Sequence, residues 1–137
     1  MEHPLEAGLV KMLGFRFLET TPDQVTLQWD VGPHLHQPDG IMHGGVHCSA
    51  VETAASVGAA LWLGERVGAD VGRVVGVSNQ TDFLRPVQDG TLQAVATPIH
   101  RGRTQQLWLV EIRDDQGRLA ARGQVRLQNL TAVEDPQ

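Results

Sequence analysis

The chain has 137 residues, 41% of them hydrophobic, and a formal net charge of −5 from 16 acidic and 11 basic side chains. That length buries one substantial core and is read as a single domain spanning residues 1–137. No run of basic residues argues for nucleic acid, no apolar stretch reaches the roughly 18 residues that span a bilayer, and a lone cysteine, Cys48, excludes an intrachain disulfide.

The first segment, "MEHPLEAGLVKMLG", has acidic residues early and no apolar core of signal-peptide type, so a cytoplasmic protein is expected, consistent with the single thiol. Leu5, Leu9 and Leu13 recur at four-residue spacing and predict a short amphipathic helix over 4–12. "FRFLETT" and "QVTLQWDV" read as two strands split by a turn at "TPDQ". A loop, "GPHLHQPDGIM", leads into a long helix from Gly44 to Leu63, with Gly64 placed to cap its end and "GERVGADVGR" following as loop. The second half reads as four strands: "VVGVSNQTDFL", "TLQAVATPIH", "TQQLWLVEIRD" and "RLAARGQVRLQNL", separated by turns at "RPVQDG", "RGR" and "DDQG". Alternation is clearest where Trp108, Val110 and Ile112 interleave with Leu107, Leu109, Glu111 and Arg113. The tail "TAVEDPQ" is expected to fray. One long apolar helix with one antiparallel sheet gives an α+β class, the sheet curled around the helix.

Between Gly44 and Leu63 the one formal charge is Glu52. A helix that is apolar nearly all round is a buried helix, and a carboxylate inside it is costly unless paired or hydrogen-bonded. No Lys or Arg lies within a turn of it on this helix; Ser56, one turn on, can hydrogen-bond the carboxylate or a water. Glu52 is thus either a carboxylate satisfied structurally at a subunit contact or a reactive group. The Gly44–Gly45 pair is either an ordinary turn or an exposed helix N-terminus, whose amides lack intrahelical partners and can polarise a carbonyl oxygen.

Distance connects the two features. Gly44 and Glu52 are about 12 Å apart along a helix axis at 1.5 Å per residue. One substrate carbonyl cannot sit about 3 Å from both in one chain. If they cooperate, Glu52 comes from a second copy whose helix runs antiparallel across a two-fold axis, and the small residues Ala50, Ala54, Ala55 and Gly58 would admit that helix. A homodimer with shared active sites follows.

The stretches "HQPDGIMHGGVHCSAVETAAS" (36–56), "VVGVSNQTDFLRPVQDG" (74–90) and "PIHRGRTQQLWLVEIRDDQGRLAARGQVRLQNL" (98–130) resemble the hotdog-fold acyl-CoA thioesterases of the PaaI-like group. Within it, they are most similar to 4-hydroxybenzoyl-CoA thioesterase of the Glu-nucleophile type. The proofreading thioesterase of enterobactin synthesis and the dihydroxynaphthoyl-CoA thioesterases are also similar. The resemblance implies a hotdog fold, thioester hydrolysis without metal or cofactor, and dimers paired into a homotetramer. It implies that the Gly44 N–H and Gln37 hold the thioester carbonyl and that His43 supports the same site. The partner's Glu52 would be nucleophile or general base, positioned by Ser56. Arg85, Arg101, Arg103 and Thr104 become candidates for the phosphates or pantetheine of coenzyme A.

Asp82, at the end of a strand, is kept as a further substrate-site candidate. His34, His36, His43 and His47 lack the Cys or Asp spacing of a zinc site, so no metal is expected. Cys48 reads as a packing residue, and Trp62 and Trp108 as core. The substrate is expected to be an aromatic or medium-chain acyl-CoA, or the matching acyl-carrier-protein thioester. Two other functions compete: a hotdog enoyl-thioester hydratase or dehydratase, and a non-catalytic acyl-thioester binder.

Overall fold

The strand alternation seen in the sequence translates into one buried face. A computed structural model describes residues 3–131, in the order α1 (Gly8–Met12), β1 (Arg16–Thr20), β2 (Val25–Val31), a 3-10 turn (Pro33–Leu35), α2 (Gly44–Val67), β3 (Arg73–Phe83), β4 (Gly90–Arg101), β5 (Gln105–Asp114) and β6 (Leu119–Leu130). Except for Thr131, the tail expected to fray lies outside the described residues.

The strands form one six-stranded antiparallel sheet in the order β1-β2-β4-β5-β6-β3. The sheet curls around α2, which touches every strand from β2 to β3. This is the expected α+β hotdog arrangement. Leu27 and Trp29 of β2, Leu92 and Ala94 of β4, Trp108, Val110 and Ile112 of β5, and Val125 and Leu127 of β6 are fully buried beneath the helix.

The helix approaches the sheet closely, and its composition follows from that. A Cβ on Gly58 would fall 2.6 Å from the Trp108 ring, and one on Gly123 of β6 would fall 2.8 Å from Val51. Ala50, Ala54 and Ala55 are fully buried and Gly58 is buried with them. This corrects the expectation that these four residues admit a second helix: they face the chain's own sheet, where larger side chains would hold the two layers apart. The helix face left open carries Glu52, Thr53, Ser56 and Val57 instead.

Two boundaries differ from expectation. The first helix is only Gly8–Met12, with no buried residue to anchor more turns. At its far end α2 runs one turn past Gly64, and Gly68, at φ 99°, terminates it by donating to Gly64 O at 2.8 Å. Gly64 itself stays helical, and its carbonyl is the acceptor for that closing bond.

A buried polar network locks this end of the helix to the sheet. Gln106 Nε2 donates to Ala59 O (3.1 Å) and to Asn129 Oδ1 (2.9 Å), while Gln106 Oε1 accepts from Trp108 Nε1 (2.9 Å). Asn129 Nδ2 in turn donates to the carbonyls of Gly102 (2.9 Å) and Arg103 (3.1 Å), shaping the β4–β5 turn. Such a network stabilises only while every member is satisfied. Replacing Gln106 with Leu strands the Trp108 and Asn129 groups and is expected to lower unfolding stability by about 2–4 kcal/mol, read from urea denaturation at fixed protein concentration.

Candidate active site

The N-terminus of α2 is built by His43. Its Nδ1 accepts from Gly45 N at 2.8 Å and its carbonyl accepts from Val46 N at 3.0 Å. Because Nδ1 is an acceptor, the neutral ring carries its proton on Nε2, which points that donor away from the helix. A Cβ on Gly45 would lie 2.9 Å from His43 Nδ1, so glycine is what permits this cap. The approach to the helix is fixed by His43 N donating to Leu35 O (2.8 Å) and Met42 N donating to Val87 O (2.7 Å). Among the described residues the Gly44 N–H has no partner, and it carries the positive end of the helix dipole.

Gly44 opens onto a cavity of about 320 Å³. Gln37, His47 and Arg85 supply its polar groups; Ile41, Met42, Phe83, Leu84, Pro86 and Val87 supply apolar walls. The side-chain oxygen of Gln37 accepts from Asp39 N, which leaves the amide nitrogen of Gln37 as its free donor. The Phe83 ring lies over Gly44, where a Cβ would come within 2.6 Å of Cε2, and it stacks on His47 with centroids 5.7 Å apart. The missing side chain at Gly44 thus makes room for Phe83 as well as for a ligand.

Glu52 lies farther along α2, half-buried against β3. Its Oε1 accepts from Asn79 Nδ2 at 3.2 Å, and the same amide donates to Cys48 O at 3.1 Å. Thr81 Oγ1 donates to Asn79 Oδ1 at 2.7 Å and so fixes which way the amide faces. Gly76 lies directly under the carboxylate, where any Cβ would overlap Glu52 Oε2. A register shift between Gly76 and Ser78 brings both Gly76 and Asn79 to the helix side of β3. Ser56 stays half-buried one turn beyond Glu52, but the hydrogen-bond partner of Glu52 among the described residues is Asn79. Asn79, Thr81 and Gly76 were not anticipated, although "GVSNQT" is a polar interruption in an otherwise Val-rich strand.

The remaining candidates separate. Gln37, Gly44 and Arg85 share the cavity, with His43 as the cap beside it. Asp82 is exposed between the helix-facing Thr81 and Phe83, so it lies on the opposite face of the sheet with Gln80 and Arg122. Arg101 is engaged by Pro22 O (2.9 Å) and Asp23 Oδ1 (2.8 Å) and covers the Trp62 ring. Arg103 and Thr104 share that β4–β5 turn, next to the far half of α2 and roughly 22 Å along the axis from Gly44. Within one chain, therefore, none of these four reaches the cavity. His36 Nε2 is bonded to Gln88 O at 2.7 Å.

His47 was set aside in the sequence and proves to be buried at the cavity wall, only 4% exposed, with Nδ1 lacking a hydrogen-bond partner among the described residues. Burial lowers its pKa from 6.5 to about 4, so the ring is neutral at pH 7. Between those pH values the unfolded chain protonates this histidine and the folded chain does not. The associated stability is complete above about pH 6.5 and is lost as the pH falls toward 4, by at most about 3 kcal/mol. Urea midpoints at pH 7.5, 6 and 5 are expected to fall less steeply for His47→Phe than for the parent chain.

Residues 39–121 match the thioesterase superfamily. The chain belongs to that superfamily, a class of thioester hydrolases. Among its relatives, a provisionally named esterase of Mycobacterium tuberculosis is 52% identical over 120 residues, covering 88% of this chain and 84% of that one. Proofreading thioesterase EntH of Cronobacter turicensis is 34% identical over 110 residues, covering 80% of this chain and 77% of that one. Among solved structures, S. sahachiroi AziG superimposes with a TM-score of 0.85 at 52% identity, covering 91% of this chain and 98% of that one. A thioesterase of Haemophilus influenzae superimposes at 0.85 with 30% identity, covering 95% and 87%. Among the described residues no helix is long and apolar enough to cross a membrane.

Proposed function

We propose that this chain hydrolyses the thioester of an aromatic or medium-chain acyl-CoA to the free acid and coenzyme A. An acyl-carrier-protein thioester is the alternative form of the same substrate. The observation that carries the reading is the unpartnered Gly44 amide at the tip of α2, opening beside Gln37 onto a mostly apolar cavity. A carbonyl oxygen there gains negative charge as a nucleophile adds, and a preorganised N–H on a helix dipole favours that charge. Its acyl group would occupy the cavity, whose volume suits a small-molecule group.

Glu52 acts in one of two ways. As a general base it takes a proton from water while the water oxygen attacks the carbonyl carbon. As a nucleophile it attacks directly, giving a mixed anhydride that water cleaves. Either route expels coenzyme A as a thiolate, a leaving group that needs no strong acid. No metal or cofactor enters, and coenzyme A is part of the substrate. His43, through Nε2–H, and Gln37, through its amide, are the further donors assigned to the carbonyl and sulfur. Ser56 is assigned to the water. The cytoplasm is the compartment we assign.

Glu52 and Gly44 of one chain remain about 12 Å apart, so the reading requires the partner's Glu52. What supports such a dimer is β3, an 11-residue edge strand with Val75 and Val77 47% and 54% exposed, directly beside Glu52. A long exposed edge of this kind pairs readily with a second copy. Setting two helices antiparallel, with Gly44 opposite the partner's Glu52, carries the partner's Trp62 about 15 Å beyond the helix tip. The partner's Arg101, Arg103 and Thr104 would lie there, along the path of an extended coenzyme A arm leaving the site, with Arg85 nearer the thioester. Two such dimers form the homotetramer we assign.

The test is thiol release from a panel of aryl and alkyl acyl-CoAs, read with a thiol-reactive dye. Glu52→Ala is expected to lose about 10²–10⁴-fold in kcat with ligand binding retained. Undiminished turnover would remove Glu52 from the mechanism. Hydration of an enoyl-CoA with no thiol released would indicate a hydratase, and binding without any turnover a carrier. Gly76→Ala, which displaces the carboxylate, is expected to lower kcat at least about 10-fold while the far-ultraviolet dichroism is unchanged. Sedimentation of a fully active monomer would overturn the shared site.

A further inference from the structure

Asn79 is exposed on the edge strand β3, yet its side-chain amide is committed to protein partners on every side. Its nitrogen donates to Cys48 O at 3.1 Å and to Glu52 Oε1 at 3.2 Å, and its oxygen accepts from Thr81 Oγ1 at 2.7 Å. Water satisfies an exposed amide at little cost, so stability alone does not call for this arrangement. The Cys48 carbonyl does not need the donor either. Inside α2 it already accepts from the N–H four residues on, which is that of Glu52. The amide thus grips one turn of helix at two points, the carbonyl that holds the Glu52 backbone and the Glu52 carboxylate itself.

The strand is shaped to put the amide there. Gly76 and Asn79 are three residues apart, and strict alternation would send them to opposite faces of β3. The register shift between Gly76 and Ser78 supplies the extra residue that turns both toward α2. Bulges recur beside active sites because they re-aim a side chain in this way. Gly123 of β6 makes room for the third member, since a Cβ there would lie 2.7 Å from Thr81 Oγ1. Glu52 Oε2, seated over Gly76, has no hydrogen-bond partner among the described residues.

We propose that Asn79 is a positioning residue for hydrolysis, its amide, anchored by Thr81, holding Glu52 Oε1 against the helix so that Oε2 stays unbonded for the reaction. This rests on the reading of Glu52 as the reactive carboxylate. A glutamate has three side-chain torsions, and a half-buried one left unheld spreads over several rotamers. An aspartate at 79 would set a like charge against Glu52, and a lysine would neutralise it. A serine has one donor for two acceptors. An amide supplies two donors and no charge. The clamp comes from β3 and not from Ser56, one helical turn beyond Glu52.

The test measures thiol release from the acyl-CoA that the parent chain hydrolyses fastest. Asn79→Ala is expected to lower kcat about 10- to 100-fold while KM changes less than about 3-fold, because the carboxylate is misplaced and the cavity is intact. Thr81→Val is expected to lose less, and Thr81→Ser, which keeps the hydroxyl, to recover most of that loss. On a Glu52→Ala background, Asn79→Ala is expected to cost nothing further, since it acts through the carboxylate. Glu52-dependent turnover that Asn79→Ala leaves unchanged, or an equal loss with and without Glu52, would overturn the proposal alone. Full turnover in Glu52→Ala would overturn the role of Glu52 and the proposal with it. The side-chain ¹H–¹⁵N signals of Asn79 give a reading that needs no turnover. Glu52→Ala is expected to move one of the two amide protons strongly and the other, bonded to Cys48 O, weakly. Equal shifts, or none, would show that the amide does not hold the carboxylate and would also overturn the proposal.

Discussion

The close contact between α2 and the sheet governs the rest of this molecule. Gly58 meets the Trp108 ring and Gly123 meets Val51 at distances that exclude any additional side chain, with Ala50, Ala54 and Ala55 filling the same seam. Two layers held this closely have little freedom to slide, because any shift brings a ring or a branched side chain into a space sized for hydrogen or methyl. The axis of the helix is thereby set, and with it the positions of the Gly44 tip under Phe83 and of Glu52 over Gly76. The Gln106 and Asn129 network secures the opposite half, so both ends of the helix are held independently.

Within that frame, the polar groups near the site are oriented by neutral partners. Glu52 is met by the Asn79 amide, itself aimed by Thr81, and His43 is aimed by a backbone amide. Neutral partners fix direction without cancelling charge. A Lys or Arg beside Glu52 would pair with it and weaken it as a base or nucleophile, whereas an amide leaves most of its reactivity in place. The same economy leaves the Gly44 N–H without a partner among the described residues. Glycine at 44, 45 and 76 serves this arrangement through absent side chains, since each adjoins an atom that a Cβ would displace.

Much of the fold was legible because its signals are local. Alternation along β5 identified Trp108, Val110 and Ile112 as the buried face, and the largely apolar, Ala-rich run after the His-Gly-Gly, with Glu52 its one charge, identified the central helix. Boundaries were less legible. Gly64 has the composition of a helix cap, but the turn beyond it, Glu65 to Val67, continues the helix, and the chain reverses at Gly68. The small residues of α2 were visible, yet whether they faced a second helix or the chain's own sheet depends on which side of the helix the strands cover. Asp82 and Arg101 show the same limit. Strand parity, shifted by the irregularity after Gly76, decides the face on which Asp82 lies, and the distant β1–β2 turn supplies Asp23 to Arg101.

By itself the sequence determined the class of fold, the order of its strands along the chain and the presence of Gly44 and Glu52 on one helix about 12 Å apart, because periodicity and short spacings are properties of neighbouring residues. Only the tertiary structure decided that β3 crosses to the far edge and delivers Asn79 and Gly76 to Glu52, and that Phe83 and His47 meet over Gly44. Those contacts join residues some 24 to 39 positions apart in the chain. They depend on register and on the depth to which one layer sinks into another, which no local pattern encodes.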